Sequence, residues 1–294
     1  MSIWPGIGER ISAATGRSFA VDKRHPAGGG CISSAVIIEG GGQRYFVKLN
    51  GASNAEMFAA EVAGLEEIAS ARAIRVPTPI CWGMENGYAY LVLEYVEQCS
   101  ANPQSMGQLG QELARLHRFS SEQHGWHRDN TIGSTPQVNT PSHDWVDFWR
   151  RQRLGLQLEL AARNGHGGKL QRQGERLAAN IGALFCGYTP IPSLLHGDLW
   201  YGNYAIDIQG HPFVFDPAVY YGDHEADLAM TELFGGFDSR FYEAYQDAFP
   251  LESDYPVRKT LYNLYHILNH LNIFGGDYRS QAERMIDALL SEIR

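Results

Sequence analysis

Three polar side chains that could carry out phosphate chemistry follow hydrophobic runs in the second half of the chain. The segment "LLHGDLWYGN" (194–203) contains Asp198 and Asn203, and "FVFDPA" (213–218) contains Asp216. A loop carboxylate that follows a strand can accept the proton of a substrate hydroxyl, so we predict Asp198 to be a general base. Asn203 and Asp216 offer oxygen ligands of the kind that magnesium takes together with waters and substrate phosphates.

The residues expected on the phosphate side of such a site lie earlier in the chain. Lys48 belongs to a predicted strand, and Glu61 on the following helix is its natural charge partner. Upstream, "GGGCISSA" (28–35) would let backbone N–H groups approach a phosphate closely. The residues of this loop predicted to contact the nucleotide are Gly28, Gly29, Gly30 and Ser33.

The order of these elements indicates a class of enzyme. A Gly-rich loop, a strand lysine, a helix glutamate, an Asp-x4-Asn loop and a metal-binding aspartate follow one another as in protein-kinase-like phosphotransferases. No GxxxxGK[ST] segment is present, which excludes a P-loop kinase. The sequence therefore predicts metal-assisted transfer of a phosphoryl group from a nucleotide to a hydroxyl.

Local patterns predict the elements that must hold these residues. Strand-like runs flank the glycines at 40–42 and the Asn86-Gly87 pair, so two hairpins are expected. Within the strand that carries Lys48, alternation places Lys48 on the face opposite Val47. Ser53 and Glu56 fit a capping box at the start of the helix that carries Glu61 on its apolar stripe.

The chain divides by pattern into two parts. Short strand-like runs dominate residues 1–97, whereas residues 98–294 have mainly helical periodicity, including the stretches 257–273 and 277–293. We therefore predict an α+β, bilobal, protein-kinase-like fold, with a small β-rich N-lobe (1–97) and a larger, mainly helical C-lobe (98–294) that carries the catalytic loop, the metal aspartate and the acceptor site.

The composition limits the kinds of ligand and the cellular compartment that are expected for this protein. The 294 residues are 44% hydrophobic with a formal charge of −9, which argues against a nucleic-acid ligand. The four cysteines form no CxxC pair, so a reducing compartment is expected. Neither a signal peptide nor an apolar run long enough for a membrane span is apparent, and we expect a cytoplasmic protein without membrane contact.

Several further polar residues receive local predictions. Asp227 is expected to support the catalytic loop by hydrogen bonds to its backbone, and His196 to orient that loop. His117 is expected to be a packing histidine, while Asp223 and Glu225 could face either an amine-bearing substrate or solvent. Six arginines are predicted to lie on solvated helix surface: those at 150, 151, 153, 163, 172 and 176.

The chain resembles the fructosamine kinase (ketosamine 3-kinase) family from the Gly-rich loop to residue 276. The matching segments are "HGDLWYGN", "DPAVYYGDHEADLAM", "DNTIGSTPQVN" (129–139), "DWVDFWRRQRL" (144–154) and "NLYHILNHLNIFGG" (263–276). His224 departs from the family pattern, in which arginine is expected, and Pro141 stands where an aromatic residue is common. Both positions bear on the substrate rather than on the reaction.

The resemblance implies transfer of the ATP γ-phosphate to the 3-hydroxyl of a ketosamine, free or protein-bound, in the repair of glycated amines. It implies Asp198 as base, Asn203 and Asp216 as holders of Mg²⁺, Lys48 and Glu61 as the phosphate-side ion pair, and Glu94, Tyr95 and Val96 at the adenine hinge. The alternative acceptor is another hydroxylated amine, such as an aminoglycoside or a choline-like alcohol.

Two other hypotheses stay open at this stage. A pseudokinase would bind nucleotide without transfer, but it would be expected to lack Lys48, Asp198 or Asp216, and all three are present. Cys31, inside the Gly-rich loop, is either a redox-sensitive thiol that links two chains or a small residue that fills the loop.

Overall fold

The computed structural model describes residues 2–28 and 33–293. Its N-terminal part is an antiparallel five-stranded sheet with the strand order β1-β2-β3-β5-β4. The strands are β1 (Lys23–Ala27), β2 (Ser34–Gly40), β3 (Gln43–Gly51), β4 (Pro79–Glu85) and β5 (Tyr88–Glu94). Two helices accompany this sheet, α1 (Trp4–Thr15) and α2 (Ala55–Ser70).

Both predicted hairpins are present. The turn at Gly41 and Gly42 joins β2 to β3, and the turn at Asn86 and Gly87 joins β4 to β5. Asn86 and Gly87 have φ values of +47° and +83°, the left-handed pair that a tight two-residue hairpin turn requires. The turn therefore fixes the register of β4 against β5. On its other edge β5 pairs with β3, and Lys48 lies opposite Leu91 there.

The two faces of β3 differ as the alternation predicts. Val47 is buried in a small core that includes Ile7 and Ile11 of α1. Phe46, on the other face, packs against the main core of the molecule, which includes Phe58 of α2. Lys48 shares the Phe46 face, so the strand directs its ammonium group toward α2 and the functional site.

The capping box predicted at Ser53 is wrong. A short 3₁₀ turn spans Ala52–Asn54, and α2 begins at Ala55 with Asn54 as its N-cap and no side-chain capping hydrogen bond. The 3₁₀ turn takes up the residues that would have formed the box. Glu61 nevertheless lies where the stripe predicted, on the face of α2 turned to β3.

The remainder of the chain is mainly helical, which gives the α+β architecture that was predicted. The helices are α3 (Pro103–His117), α4 (Trp145–Trp149), α5 (Leu156–Arg163), α6 (Lys169–Asn180), α7 (Glu225–Leu233), α8 (Ser239–Ala248), α9 (Tyr255–Phe274) and α10 (Tyr278–Glu292). A π-helical stretch, Arg150–Gly155, joins α4 to α5, and a 3₁₀ segment, Ile181–Phe185, follows α6. The last two helices agree with the stretches predicted at 257–273 and 277–293.

Short strands frame the site within this helical part. They are β6 (Gln98–Cys99), β7 (Asn130–Ile132), β8 (Thr135–Gln137), β9 (Ser193–Leu195), β10 (Tyr204–Asp207), β11 (Pro212–Val214) and β12 (Tyr220–Gly222). Strand β10 lies between β11 and β6, whereas β9 pairs with β12 and β7 with β8. The boundary drawn between residues 97 and 98 stays a prediction.

One main hydrophobic core joins α2 and the inner face of the sheet to the helical part. It includes Leu65 and Leu91 together with Leu113, Leu195 and Leu268. Leu199, in the loop between β9 and β10, is buried in the same core. Among the described residues, no helix is both long and apolar enough to cross a membrane.

Arg153 is not on solvated surface, contrary to the prediction. Its side chain is fully buried, donates hydrogen bonds to the Val138 carbonyl (2.6 Å) and to Oδ1 of Asn139 (2.7 Å), and lies 4.2 Å from the centre of the Tyr220 ring. The π-helical stretch shifts the phase of the helix at this point, so a residue that an α-helical period places outside faces the core.

Asp223 and Glu225 are both buried, so neither faces solvent or a substrate. Asp223 accepts hydrogen bonds from the hydroxyls of Tyr188 (2.8 Å) and Tyr262 (2.5 Å). Glu225 forms a bidentate ion pair with Arg258, with N···O distances of 2.7 and 2.8 Å. Charges this deep in the core are retained because each has a partner.

Replacing Arg258 by leucine is expected to lower the free energy of unfolding by about 3–5 kcal/mol, because the substitution leaves Glu225 charged and buried without its partner. Urea unfolding followed by circular dichroism measures the loss. The double variant Glu225→Leu/Arg258→Leu is the matched control and should recover most of the stability. A loss below about 1 kcal/mol in Arg258→Leu would contradict the burial of an obligate pair.

Candidate active site

The catalytic loop leaves β9 through a glycine that no other residue could replace without strain. Gly197 has φ +82°, and a Cβ atom there would lie 2.1 Å from the Ala218 carbonyl oxygen. Asp227 holds this turn: its carboxylate accepts hydrogen bonds from the backbone N–H groups of His196 (2.7 Å) and Gly197 (2.8 Å). The supporting role predicted for Asp227 is confirmed.

His196 joins the catalytic loop to the segment that carries Asp216. Its Nε2 lies 2.9 Å from the Phe215 carbonyl oxygen and donates to it, while its Nδ1 accepts from the backbone N–H of Asp198 at 3.3 Å. The ring is fully buried, and burial lowers its pKa, which favours the neutral form that this pair of bonds requires. The orienting role predicted for His196 is confirmed.

Asp198 and Asn203 are in direct contact. The Asn203 side-chain amide donates to the Asp198 carbonyl (2.7 Å) and to Oδ2 of the Asp198 carboxylate (3.2 Å). This orientation turns Oδ1 of Asn203 away from Asp198, and that oxygen accepts no hydrogen bond from the described residues. An amide oxygen without a protein donor beside a carboxylate is a suitable ligand for a hard cation.

Lys48 bridges Glu61, its predicted charge partner, and Asp216, the predicted metal ligand. Its Nζ lies 2.6 Å from Oε1 of Glu61 and 2.6 Å from Oδ1 of Asp216. Burial opposes a charge on Lys48, but the two carboxylates outweigh it and raise the pKa of the ammonium group above its usual value. Lys48 is therefore a permanent cation at the place where phosphates would enter.

Asp216 has an unusual backbone. Its φ is +56°, which is rare for a residue with a side chain and marks local strain at a functional position. Its carboxylate is 40% exposed, so one oxygen can leave Lys48 for a cation. Within residues 2–28 and 33–293, no group of three or more His, Cys, Asp or Glu side chains could hold a metal ion by itself. Asp216 and Asn203 therefore fit a magnesium ion that takes most of its ligands from phosphates and water.

Burial raises the pKa of the Asp198 carboxyl to about 7, the Asp216 charge adds to the rise, and the hydrogen bond from Asn203 opposes it. A general base acts only when ionised, so kcat/KM for the acceptor is expected to rise with pH and to level off above a midpoint no higher than about 7. Magnesium held by Asp216 would weaken the like-charge repulsion and lower this midpoint.

Initial rates at saturating Mg-ATP between pH 5 and 9 would measure this profile. The residual activity of Asp198→Asn serves as the control, and it should lack the acidic limb. An unchanged limb in that variant would assign the titration to another group.

The predicted hinge residues have different surroundings. The Glu94 side chain pairs with Arg75 (2.7 Å) and accepts hydrogen bonds from Thr78, so it is committed to the protein. The Tyr95 ring lies 4.6 Å from the Arg44 guanidinium. The backbone N–H of Val96 donates to no other described residue, which leaves it available to a purine ring.

The Gly-rich loop is described only at its ends. No described residue lies within 4 Å of the place where a Cβ atom on Gly28 would be. The Ser33 hydroxyl accepts a hydrogen bond from the Asn50 amide (3.1 Å). Gly29, Gly30 and Cys31 lie outside the described residues. Their predicted roles, including the disulfide-linked dimer through Cys31, stay predictions.

A polar clamp behind Asp216 was not predicted. The Asn130 amide donates to the Val219 carbonyl (2.8 Å), and the Gln137 amide donates to the Ala218 carbonyl (3.0 Å). The Tyr265 hydroxyl donates to Oε1 of Gln137 (2.7 Å) and fixes its orientation. The β7–β8 hairpin thus holds the segment that follows Asp216. Its sequence, "DNTIGSTPQVN", was recognised as a family segment, but nothing local in it indicates this contact.

Aromatic rings extend from the catalytic loop. Trp200, two residues after Asp198, lies 6.3 Å from Phe234, which lies 5.0 Å from His270. His270 in turn lies 5.6 Å from Phe274, an exposed ring at the end of α9. We call this series of side chains (Trp200, Phe234, His270 and Phe274) the aromatic wall.

Comparison with known proteins shows the family to which the chain belongs. The family described as fructosamine kinase matches residues 3–292. A Synechocystis protein named "Probable ketoamine kinase" is 48% identical over 288 residues, which cover 98% of this chain and 97% of the relative. A rice protein named "Protein-ribulosamine 3-kinase, chloroplastic" is 41% identical, with 100% of this chain and 87% of the relative covered.

Solved structures show the same fold. A crystal structure of a Haemophilus somnus protein, named as a fructosamine-3-kinase, has a TM-score of 0.90 at 28% identity over 98% of each chain. More distantly, the aminoglycoside phosphotransferase APH(4)-Ia in a ternary complex with AMP-PNP and hygromycin B has a TM-score of 0.65 at 16% identity, over 98% of each chain. The fold is therefore that of kinase-like phosphotransferases.

The chain belongs to the fructosamine kinase family and is an ATP-dependent phosphotransferase of that family.

Proposed function

We propose that this protein transfers the γ-phosphoryl group of ATP to the 3-hydroxyl of a ketosamine, a ribulosamine or fructosamine adduct of an amine. The observation that carries the proposal is the position of Asp198. Its partly buried carboxylate contacts Asn203 on the metal side, and the aromatic wall begins two residues later at Trp200. The base therefore stands between a nucleotide half and an acceptor half.

The acceptor half suits the chemistry of a ketosamine. Such a molecule combines a sugar, whose C–H face packs on aromatic rings, with a secondary amine that is protonated near neutral pH. Ring faces attract cations, and Trp200, Phe234 and His270 supply aromatic groups beside the base. The rice relative carries the name of a kinase for ribulosamines on proteins, which supports the same acceptor class.

In the proposed reaction, the ionised Asp198 accepts the proton of the acceptor hydroxyl as that oxygen forms its bond to the γ-phosphorus. The bond between this phosphorus and the β,γ-bridging oxygen breaks, and ADP leaves with the electron pair. Lys48, kept charged by Glu61, stabilises the negative charge on the phosphates. When bound by Asp216 and Asn203, Mg²⁺ would neutralise further phosphate charge and fix the geometry.

A panel of acceptors tests the proposal. ADP formation with Mg-ATP is measured for ribulosamine and fructosamine adducts of lysine, for an aminoglycoside and for choline, and ³¹P NMR locates the phosphate on the product. The ketosamines should turn over and acquire the phosphate at O3, while a 3-deoxy ketosamine, the matched control, should not react. Turnover with the aminoglycoside or choline alone would assign the protein to another acceptor class.

A further inference from the structure

A chain of buried side chains extends away from the catalytic loop and is not used by the reaction just described. His117, at the end of α3, lies 3.1 Å through Nε2 from Oδ2 of Asp227 and 2.8 Å through Nδ1 from the Tyr245 hydroxyl. The same hydroxyl lies 2.9 Å from Nδ1 of His224. His117, Tyr245 and Asp227 are each at most 1% exposed, and His224 is 6% exposed.

The chemistry of the partners gives this chain a direction. A carboxylate that already accepts two backbone N–H bonds can only accept, so the His117 nitrogen that faces Asp227 carries hydrogen. Hydrogen on Nε2 alone leaves Nδ1 of His117 as an acceptor, and the Tyr245 hydroxyl then donates to it. The Tyr245 oxygen in turn accepts from Nδ1–H of His224. Burial lowers the pKa of His224 to about 3, so this ring is neutral and has a single N–H.

The chain ends at the peptide units that place the general base. Asp227 accepts from the backbone N–H groups of His196 and Gly197, and the next residue is Asp198. Burial opposes ionisation of Asp227, but its bonds with His117 and with the loop backbone hold its pKa below the usual value. A fixed Asp227 carboxylate therefore means a fixed turn at Gly197.

Tertiary structure gives His224 a role that its sequence context did not suggest. The side chain lies in the interior between Tyr245 and the Phe249 ring, whose centre is 4.3 Å from that of the imidazole. It does not point into the aromatic wall of the acceptor side. The position that departs from the family pattern thus belongs to the support of the catalytic loop.

We propose that Tyr245 and His224 are positioning residues for phosphoryl transfer, which act through His117 and Asp227 on the turn that carries Asp198. The directed chain His224 to Tyr245 to His117 to Asp227 fixes the rotation of the Asp227 carboxylate, and so the place of the base relative to the acceptor hydroxyl. This inference rests on the proposed role of Asp198 in the reaction.

The first test needs no substrate. Long-range ¹H–¹⁵N spectra of the histidine rings report which nitrogen carries hydrogen in the full-length protein. His117 should be the Nε2–H tautomer and His224 the Nδ1–H tautomer, and Tyr245→Phe should shift both sets of signals. A His117 ring with hydrogen on both nitrogens, or a His224 ring with hydrogen on Nε2 only, would overturn the directed chain.

The second test compares two tyrosines of helix α8. Tyr245→Phe should lower kcat roughly ten- to a hundredfold, because a small displacement of a catalytic group has effects of that size. KM for Mg-ATP should change less than about threefold, since Lys48 and Asp216 do not contact the chain. The matched control is Tyr242→Phe, which removes a hydroxyl that accepts from the backbone N–H of Phe237 (3.0 Å). It should leave kcat near the wild-type value.

Equal losses of kcat in the two variants would show that Tyr245 acts only through general stability, and the proposal would fail. Two substitutions of His117 supply a further check. His117→Gln keeps a hydrogen-bond donor toward Asp227 and should therefore retain a higher kcat than His117→Leu. The reverse order would also refute the proposal. The ring spectra do not depend on catalysis. They therefore test the directed chain of hydrogen bonds separately from the role proposed for Asp198.

Discussion

Replacing Asp198 by asparagine is expected to reduce kcat by about 10²–10⁴-fold, the usual contribution of a positioned general base. The amide has nearly the shape of the carboxylate, so the Asn203 contact and the turn at Gly197 should persist, while the group that accepts the hydroxyl proton is lost. ADP formation with the best ketosamine measures the effect, and calorimetric titration with Mg-ATP should give an affinity within about threefold of wild type.

Asn203→Ala is an instructive companion to this variant. It removes the amide that opposes the raised pKa of Asp198, and it also removes a proposed metal ligand, so both turnover and magnesium dependence should change. Asp198→Asn should alter turnover alone. If Asp198→Asn kept the wild-type rate, Asp198 would not be the base, whatever the acceptor.

Replacing Asp216 by alanine is expected to remove the magnesium-dependent part of nucleotide affinity. Loss of a group that merely supports a metal ligand costs roughly 10–100-fold in metal affinity, and loss of a charged ligand itself should cost at least as much. Lys48 keeps Glu61 as a partner at 2.6 Å, so its ammonium group should remain in place and the protein should fold.

The measurement compares ATP binding in magnesium and in EDTA for the wild type and the variant. Wild-type affinity should differ between the two conditions, whereas Asp216→Ala should bind equally weakly in both. Glu56→Ala is a suitable control, because that carboxylate is exposed and pairs with Arg128 at 3.4 Å, away from Lys48 and Asp216. An unchanged magnesium dependence in Asp216→Ala would remove Asp216 from the metal site.

The contacts of Lys48 give these two predictions a common basis. In the structure the ammonium group pairs with Asp216, a carboxylate that a metal ion would also attract. Binding of the nucleotide with its cation would replace this pair by contacts from Lys48 to phosphate and from Asp216 to metal. The charges of the site are thus balanced before the substrates arrive, and the strained backbone of Asp216 is compatible with that exchange.

Much of the site could be predicted because its signals are local. The Asn86-Gly87 pair determines its turn through the conformations those residues tolerate, and alternation along β3 separates Lys48 from Val47. The spacing of Asp198 and Asn203 follows from one loop, within which the two side chains meet. His196 could be assigned because it follows β9 at the start of that loop, and Asp227 because it lies in the first turn of a helix predicted behind the loop.

Only the tertiary structure shows which of the remaining charged side chains are buried. Arg153 is buried because a π-helical stretch changes the phase of its helix and because Tyr220 and Asn139, from other segments, supply partners. Asp223 lies between Tyr188 and Tyr262, each more than thirty positions away along the chain. A sequence pattern shows the polarity of a side chain, but the partner that stabilises it in the interior is brought there only by the fold.

Information about function divides in the same way between the sequence and the tertiary structure. The residue types at 48, 61, 198, 203 and 216 are by themselves enough to predict phosphoryl transfer, because each group can be assigned a chemical task from its place in the chain order. The orientation of the base depends on Asp227, His117, Tyr245 and His224, which come from three helices and one loop. Those contacts exist only after α3, α7 and α8 pack together, so only the tertiary structure could show them.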